Sequence, residues 1–223
     1  MAKRPDHFIV AIDGPAGSGK STVSKLIAKK LGLLYIDTGA MYRALTLKAV
    51  RQGLNLEDSD RLADLARSTR VDLVNAAGTL KVLLDGEDVS GLIRTPELTN
   101  DVKFVARVGG VRSEMVKQQR AIGIRANAVL EGRDIGTVVF PDARYKFYLD
   151  ADVAERARRR HKELVESNRQ ADLAAVKSDV EKRDESDMKR SLGALKKADD
   201  AVFIDTTDLS IDEVVEKILS YIK

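Results

Sequence analysis

The sequence predicts an α/β fold: a parallel central sheet wrapped by helices, with a small antiparallel unit inserted. Three observations lead there. Strand-like and helix-like stretches alternate through most of the chain, the pattern that builds a parallel sheet covered by helices. A glycine-rich turn, GPAGSGKS at 14–21, joins the first strand-like stretch to the first helix-like one. From about 71 to 90 the texture changes to short strand-like runs, VDLV, TLKVLL and EDVS, with a hairpin signal at Asp85 and Gly86.

Taken in order, residues 8–12 form a branched apolar run between Pro5 and Gly14, which reads as a buried strand. Residues 21–31 carry Val23, Leu26, Ile27 and Leu31 at helical spacing, with Gly32 as the stop. Residues 33–36 form a second strand. Residues 39–52 form a second helix, with Met41, Leu45, Leu47 and Val50 apolar and Gly53 as its stop. A short helix covers 61–67. Residues 100–124 read as one long helix or a pair broken at Gly109 and Gly110. The third core strand is 128–131, a turn follows over 132–136, and the fourth strand is 146–149. A basic helix over 154–165 and a highly charged one over 170–190 precede a fifth strand at 201–204. An amphipathic helix over 211–222 closes the chain.

Composition narrows the function. The chain of 223 residues is 43% apolar, enough for one core with a small satellite. Its 38 basic and 35 acidic residues leave a net charge of +3, too small a surplus for a nucleic-acid footprint. Without cysteine there is no disulfide, thiolate metal site or cysteine nucleophile. His7 and His161 are too few for a histidine metal site, and the absence of Trp argues against stacking on single strands. No apolar run approaches the ~18 residues that span a membrane. A soluble cytoplasmic protein is expected, with no membrane or nucleic-acid partner. No heptad or apolar patch argues for assembly, so a monomer is expected.

Gly14, Pro15, Ala16, Gly17, Ser18, Gly19, Lys20 and Ser21 fill G-x-x-x-x-G-K-[ST], and Thr22 follows in the helix. Glycines let backbone N–H groups converge on phosphate, and the helix N-terminus adds partial positive charge. Lys20 is suited to the terminal phosphates of ATP and the Ser21 hydroxyl to Mg²⁺. An ordinary strand-to-helix turn would have no use for a lysine in a glycine nest. No N-K-x-D or T-K-x-D is present, so guanine recognition of the switch type is missing.

A second cluster, Asp37-Thr38-Gly39-Ala40-Met41-Tyr42-Arg43, follows the second strand. Ligands gather at the carboxyl ends of strands in open α/β sheets. Thr38 is the expected N-cap, and Arg43 lies about one turn inside, placed to fork onto an acceptor phosphate. The stretch 131–136, EGRDIG, repeats the pattern: Arg133 would meet phosphate, and Asp134 an exocyclic amine. Arg183, Asp187 and Arg190 share one helical face, and Arg156, Arg159 and Arg160 form a second basic face. Spacing alone leaves surface arginines and salt-bridge lacing open for these sets. Phosphoryl transfer between two anions gives a use for many cations.

The stretches AIDGPAGSGKST, DTGAMYR, LLDGEDVSGLIRT, EGRDIGTVVFPDA and EKRDESDMKR together resemble the bacterial cytidylate kinases, over essentially the whole chain. The resemblance implies a three-layer P-loop kinase that moves a phosphoryl group from ATP to CMP or dCMP, with Mg²⁺. It implies a core of 1–66, 101–153 and 183–223, a monophosphate-binding insert over about 67–100, and a helical lid over about 154–182, centred near Arg156 to Arg169. It implies that Thr38, Arg43, Arg133 and Arg190 hold the acceptor phosphate, that Arg112 and Asp134 read cytosine, and that Arg183 and Asp187 hold the sugar. Lys20, Arg43, Arg133, Arg156, Arg160 and Arg190 are the expected catalytic cations. Many relatives carry a serine that contacts the base where this chain has Lys103, a departure that bears on rejection of UMP. A kinase for another small acceptor (UMP, AMP or shikimate) and a non-catalytic nucleotide-binding module are the alternatives.

Overall fold

The structure, a computed structural model, describes residues 7–76, 79–166 and 170–222. Pro5, expected to bound the first strand, and Arg169, expected at the end of the lid, lie outside the described residues. Strand β1 (Ile9–Asp13) leads through the glycine turn into α1 (Lys20–Leu31), then β2 (Leu34–Asp37), α2 (Thr38–Arg51) and α3 (Ser59–Arg67). The insert follows as β3 (Val71–Ala76), β4 (Thr79–Leu84) and β5 (Glu87–Asp88). Helices α4 (Pro96–Ala106) and α5 (Gly109–Gly123) return the chain to β6 (Ala128–Gly132), a π-helical turn (Ile135–Val139) and β7 (Tyr145–Asp150). Helices α6 (Val153–Glu166) and α7 (Leu173–Met188), strand β8 (Val202–Asp205) and α8 (Ile211–Leu219) complete the fold.

The main sheet is parallel, in the order β2-β6-β1-β7-β8. Strand order reverses across β1, so the binding crevice falls at the carboxyl ends of β1 and its neighbours. All five residues of β1 are buried, as a central parallel strand requires. Alternation divides them. Ile9 and Ala11 face one core with Ile36 and Leu130. Val10 and Ile12 face the other, with Val129, Phe147, Leu149 and the apolar sides of α1 and α8. The first core extends without a break into Val71, Leu73, Val82 and Leu84 of the insert. The insert is therefore welded to the α2 side of the sheet. Its hairpin turns at Asp85 (φ 49°) and Gly86 (φ 94°), as the DG signal predicts.

Four local expectations change. Asp37, rather than Thr38, caps α2, its carboxylate accepting from Ala40 N at 2.8 Å. Helix α4 starts at Pro96, earlier than expected, because Thr95 caps it and proline suits the first helical position. The break before α5 is at Arg107 and Val108, so the paired glycines open the helix instead of interrupting it. Gly110 serves close packing: a Cβ there would lie 2.6 Å from Ala63 Cβ on α3. Finally, α7 ends at Met188, so Arg190 does not continue the helical face of Arg183 and Asp187. It folds back from the following loop, where Leu195 N donates to Asp187 O at 2.9 Å.

Candidate active site

Every strand of the main sheet ends on an acidic residue at or beside its carboxyl edge: Asp13, Asp37, Glu131, Asp150 and Asp205. Four of these carboxylates, all but Asp205, contact the loops or side chains that carry the cations. The cradle between β1 and α1 bends at Gly14, Gly17 and Gly19, all at positive φ, the backbone region that glycine enters without strain. Among the described residues, the amides of Gly17 to Ser21 donate to no protein acceptor, which leaves them free for an anion. Lys20 is buried, with Nζ donating to Pro15 O at 2.5 Å and Ser18 Oγ at 3.2 Å. Burial, with Arg133 next in weight, pushes its ammonium down to about 7. Pro15 and Ser18 thus hold the lysine tip inside the cradle.

Two carboxylates that sequence reasoning missed frame this cradle. Asp13 is buried and accepts from Ile135 N at 2.8 Å and Gly136 N at 2.7 Å. It thereby ties the start of the cradle to the loop that presents Arg133 and Asp134. Burial raises its pKa to about 6, against the opposing pull of those two N–H groups. Glu131 is buried and accepts from Ser21 Oγ at 2.7 Å and from the Tyr35 hydroxyl. Burial, then the nearby Asp37, pushes it above the usual carboxylate range. Asp13 and Glu131 each stand at the carboxyl end of a parallel strand directly before a glycine, Asp13 as the last residue and Glu131 as the last but one, and that position was the available signal.

Most of the expected acceptor residues are tied to carboxylates or to the end of β6. Thr38 Oγ1 donates to Glu131 O at 2.6 Å. Arg43 pairs with Asp37 at 3.1 Å. The adjacent Arg133 and Asp134 do not pair with each other. Arg133 Nε reaches Asp187 at 2.8 Å, while Asp134 takes Arg112 Nη2 at 2.5 Å in a pair buried at 2% and 8% side-chain exposure. Arg190 also pairs with Asp187. Burial alone would raise the Asp187 pKa, but Arg133, Arg190 and Arg183 hold it below the usual range. Arg183 makes no hydrogen bond or ion pair with the described residues. Burial, followed by repulsion from Arg133, lowers it to about 10. The Nε atoms of Arg43, Arg112 and Arg190 are buried without a partner among the described residues. Unmet buried donors are costly, and these three belong to arginines expected to hold the acceptor.

Arg156 is buried against the cradle and pairs with Asp184 of α7, another residue missed in the sequence. Two expected residues stand outside this network. Arg160 pairs with Glu163 at 2.9 Å on α6, near enough to Arg183 to repel it. Lys103 is exposed on α4, with its ammonium 5.0 Å from the Phe104 ring. For Mg²⁺, the donor set offers the Ser21 hydroxyl beside the Glu131 carboxylate, hard oxygens of the type that this ion takes. No cluster of three or more His, Cys, Asp or Glu suited to a metal occurs among the described residues.

Comparison with known proteins follows this geometry. A family model described as Cytidylate kinase matches residues 10–223. The cytidylate kinase of Desulforamulus reducens is 50% identical over 218 residues, covering 98% of this chain and 98% of that protein. The cytidylate kinase of a Geobacillus species is 48% identical, covering 97% of each. A solved structure of an uncharacterized protein from Eubacterium ventriosum aligns over 97% of this chain and 98% of that one. Its TM-score of 0.50 at 14% identity is a likeness of fold alone. With the model matched over nearly the whole chain and relatives about half identical to it, this chain belongs to the cytidylate kinase family.

Proposed function

We propose that this protein transfers the terminal phosphoryl group of ATP directly to the phosphate of CMP or dCMP, giving the diphosphate and ADP. The observation that carries this reading is the meeting of two cation sets. Lys20 of the cradle lies in the field of Arg133 and Arg183, although the acceptor arginines come from distant parts of the chain. An acceptor phosphate is already a nucleophile, so the protein need supply only position and positive charge.

In this reading the amides of the cradle, from Gly14 to Thr22, hold the donor phosphates, and Lys20 leaves Pro15 O for them. Phosphate charge raises the lysine pKa again and keeps it cationic. Ser21 and Glu131 are the residues that would hold Mg²⁺, directly or through water, where it would neutralise donor phosphate charge. Arg43, Arg133 and Arg190 take the acceptor phosphate beside Thr38. Arg112 and Asp134 present a donor and an acceptor to the cytosine edge, and Arg183 and Asp187 hold the sugar. The lid, over about 154–182, excludes water and brings Arg160 toward the transferred group, beside Arg156, which already rests on the cradle. The enzyme works as a cytoplasmic monomer. No helix of the described residues is long and apolar enough to cross a membrane.

The test is an ADP-release assay over a panel of acceptors. CMP and dCMP are expected to stimulate release well above UMP, AMP and shikimate. Failure of every monophosphate would favour a nucleotide-binding module without catalysis.

A further inference from the structure

We propose that Asp184 is a positioning residue for phosphoryl transfer: with Arg156 it clamps the backbone of Ala16 in the cradle, Asp184 taking its amide and Arg156 its carbonyl, and seats the α6–α7 pair on it. The proposal rests on the kinase reading above and adds a residue that the family motifs did not single out.

The clamp is a closed ring of contacts. Ala16 N donates to Asp184 Oδ1 at 3.3 Å, and Arg156 Nη1 donates to Ala16 O at 3.1 Å. The same Nη1 donates to Asp184 Oδ2, closing the ring. Arg156 Nε is anchored on Ala151 O at 2.9 Å, just beyond the end of β7. Asp184 and Arg156 are only 4% and 5% exposed. Burial of this depth is tolerable for an ion pair when much of its hydrogen-bonding capacity is used, and here the amide and the carbonyl of one residue, Ala16, take up part of it on each partner. Contact extends to the backbone. Gly17 stands at φ 78°, and a Cβ there would come within 2.7 Å of Arg156 O. The base of α6 is thus seated directly on the cradle.

The choice of peptide makes this a positioning device rather than a blockade. Asp184 takes the amide of Ala16 and leaves the amides of Gly17 to Ser21 without protein acceptors among the described residues. An anion can therefore enter the nest with the clamp in place. Arg156 spends Nε and Nη1 on the clamp, while its Nη2 makes no hydrogen bond to the described residues. The fork is held rigidly and keeps one nitrogen for a phosphate oxygen. Three residues along α7, Asp187 does the corresponding work for Arg133 and Arg190. One helix therefore orders cations on both sides of the transferred group.

The experiment is steady-state kinetics with ATP and CMP varied separately, for the wild type, Asp184→Asn, Arg156→Lys and the double variant, with melting temperatures alongside. A wild type that does not phosphorylate CMP would overturn the kinase reading itself. With an active wild type, Asp184→Asn is expected to lower kcat by about tenfold to a hundredfold and to raise KM for ATP, with KM for CMP changed less than about twofold. Arg156→Lys keeps the charge but loses the fork, and is expected to give the same split. The double variant is expected to be no worse than the poorer single, since both act through one clamp. Wild-type kinetics in either variant, equal loss toward both substrates, or multiplying losses in the double would overturn the proposal. Should Asp184→Asn not fold, the split in Arg156→Lys decides alone.

Discussion

In the proposed site the donor side is made chiefly of main chain, and the acceptor side of side chains. Residues 14–21 form the cradle in one continuous turn, whose free amides are aimed by its own backbone and braced by Arg156 and Asp184. On the acceptor side, Arg43 comes from α2, Arg112 from α5, Arg133 from the end of β6, and Asp187 and Arg190 from α7 and its exit loop. Each of these arginines is held by a carboxylate: Asp37, Asp134 or Asp187. The difference teaches how each side is preorganised. A backbone nest is rigid because its dihedrals are fixed. A set of long cationic side chains is ordered only by counter-charges, and those must then share the arginines with an arriving phosphate.

The comparison can be broken at several points. The largest expected effect is on the donor side. Lys20→Ala should lower kcat by about a thousandfold or more, the scale of a lost preorganised charge, in an ADP-release assay with CMP. KM for CMP should change little if the two sides are separately built. Arg133→Ala comes next, with about a hundredfold to a thousandfold loss in kcat/KM. Because Arg133 lies in the field of Lys20 and also pairs with Asp187, its loss should be felt toward both substrates. Unchanged turnover would remove it from the site.

Asp187→Asn should have a mixed effect: KM for CMP up about tenfold, together with lower stability. Stranding buried charge of this kind costs about 3–5 kcal/mol, measurable by denaturant unfolding. A variant with wild-type stability would show that the arginines do not depend on Asp187.

Acid pH should act more gently, through Asp13. Its folded pKa of about 6 exceeds the ordinary aspartate value of 3.8, so between these values the folded state binds more protons than the unfolded one. This group therefore adds stability at low pH and loses that contribution as pH rises through about 6. Activity should move the other way. Protonation below about pH 6 weakens the anchor under Ile135 and Gly136 and loosens the loop carrying Arg133. The expected signature is kcat/KM for CMP falling on the acid side while this titration does not lower the melting temperature, and Asp13→Asn should abolish that limb. The smallest effect is Lys103→Ser, which should alter KM for CMP less than about twofold, since Lys103 is exposed and its ammonium lies over the Phe104 ring.

The same contrast explains what could be read in the sequence. The cradle was legible because its residues are contiguous and each has a defined use. The sheet was legible from alternation, as β1 and β6 show. The acceptor set was reached by resemblance, because spacing could not distinguish Arg43 or Arg190 from surface residues. Pairing was not legible at all. The neighbours Arg133 and Asp134 take partners on different elements, and Ser21 meets Glu131 across 110 positions. Asp184 could not be read from the chain, since its partners Ala16 and Arg156 lie 168 and 28 positions away. The end of α7 also mattered. Helical spacing put Arg190 on the face of Asp187, but it reaches that carboxylate from a loop beyond the helix.

The central claim is that one phosphoryl group passes directly between two nucleotides held by these two unlike half-sites. Its most direct test is the stereochemical course at the transferred phosphorus, followed with ATP made chiral at the γ-position by oxygen isotopes and sulfur. The account predicts a single inversion of configuration in the nucleoside diphosphate. Net retention would mean that the phosphoryl group pauses on the protein, and would contradict it.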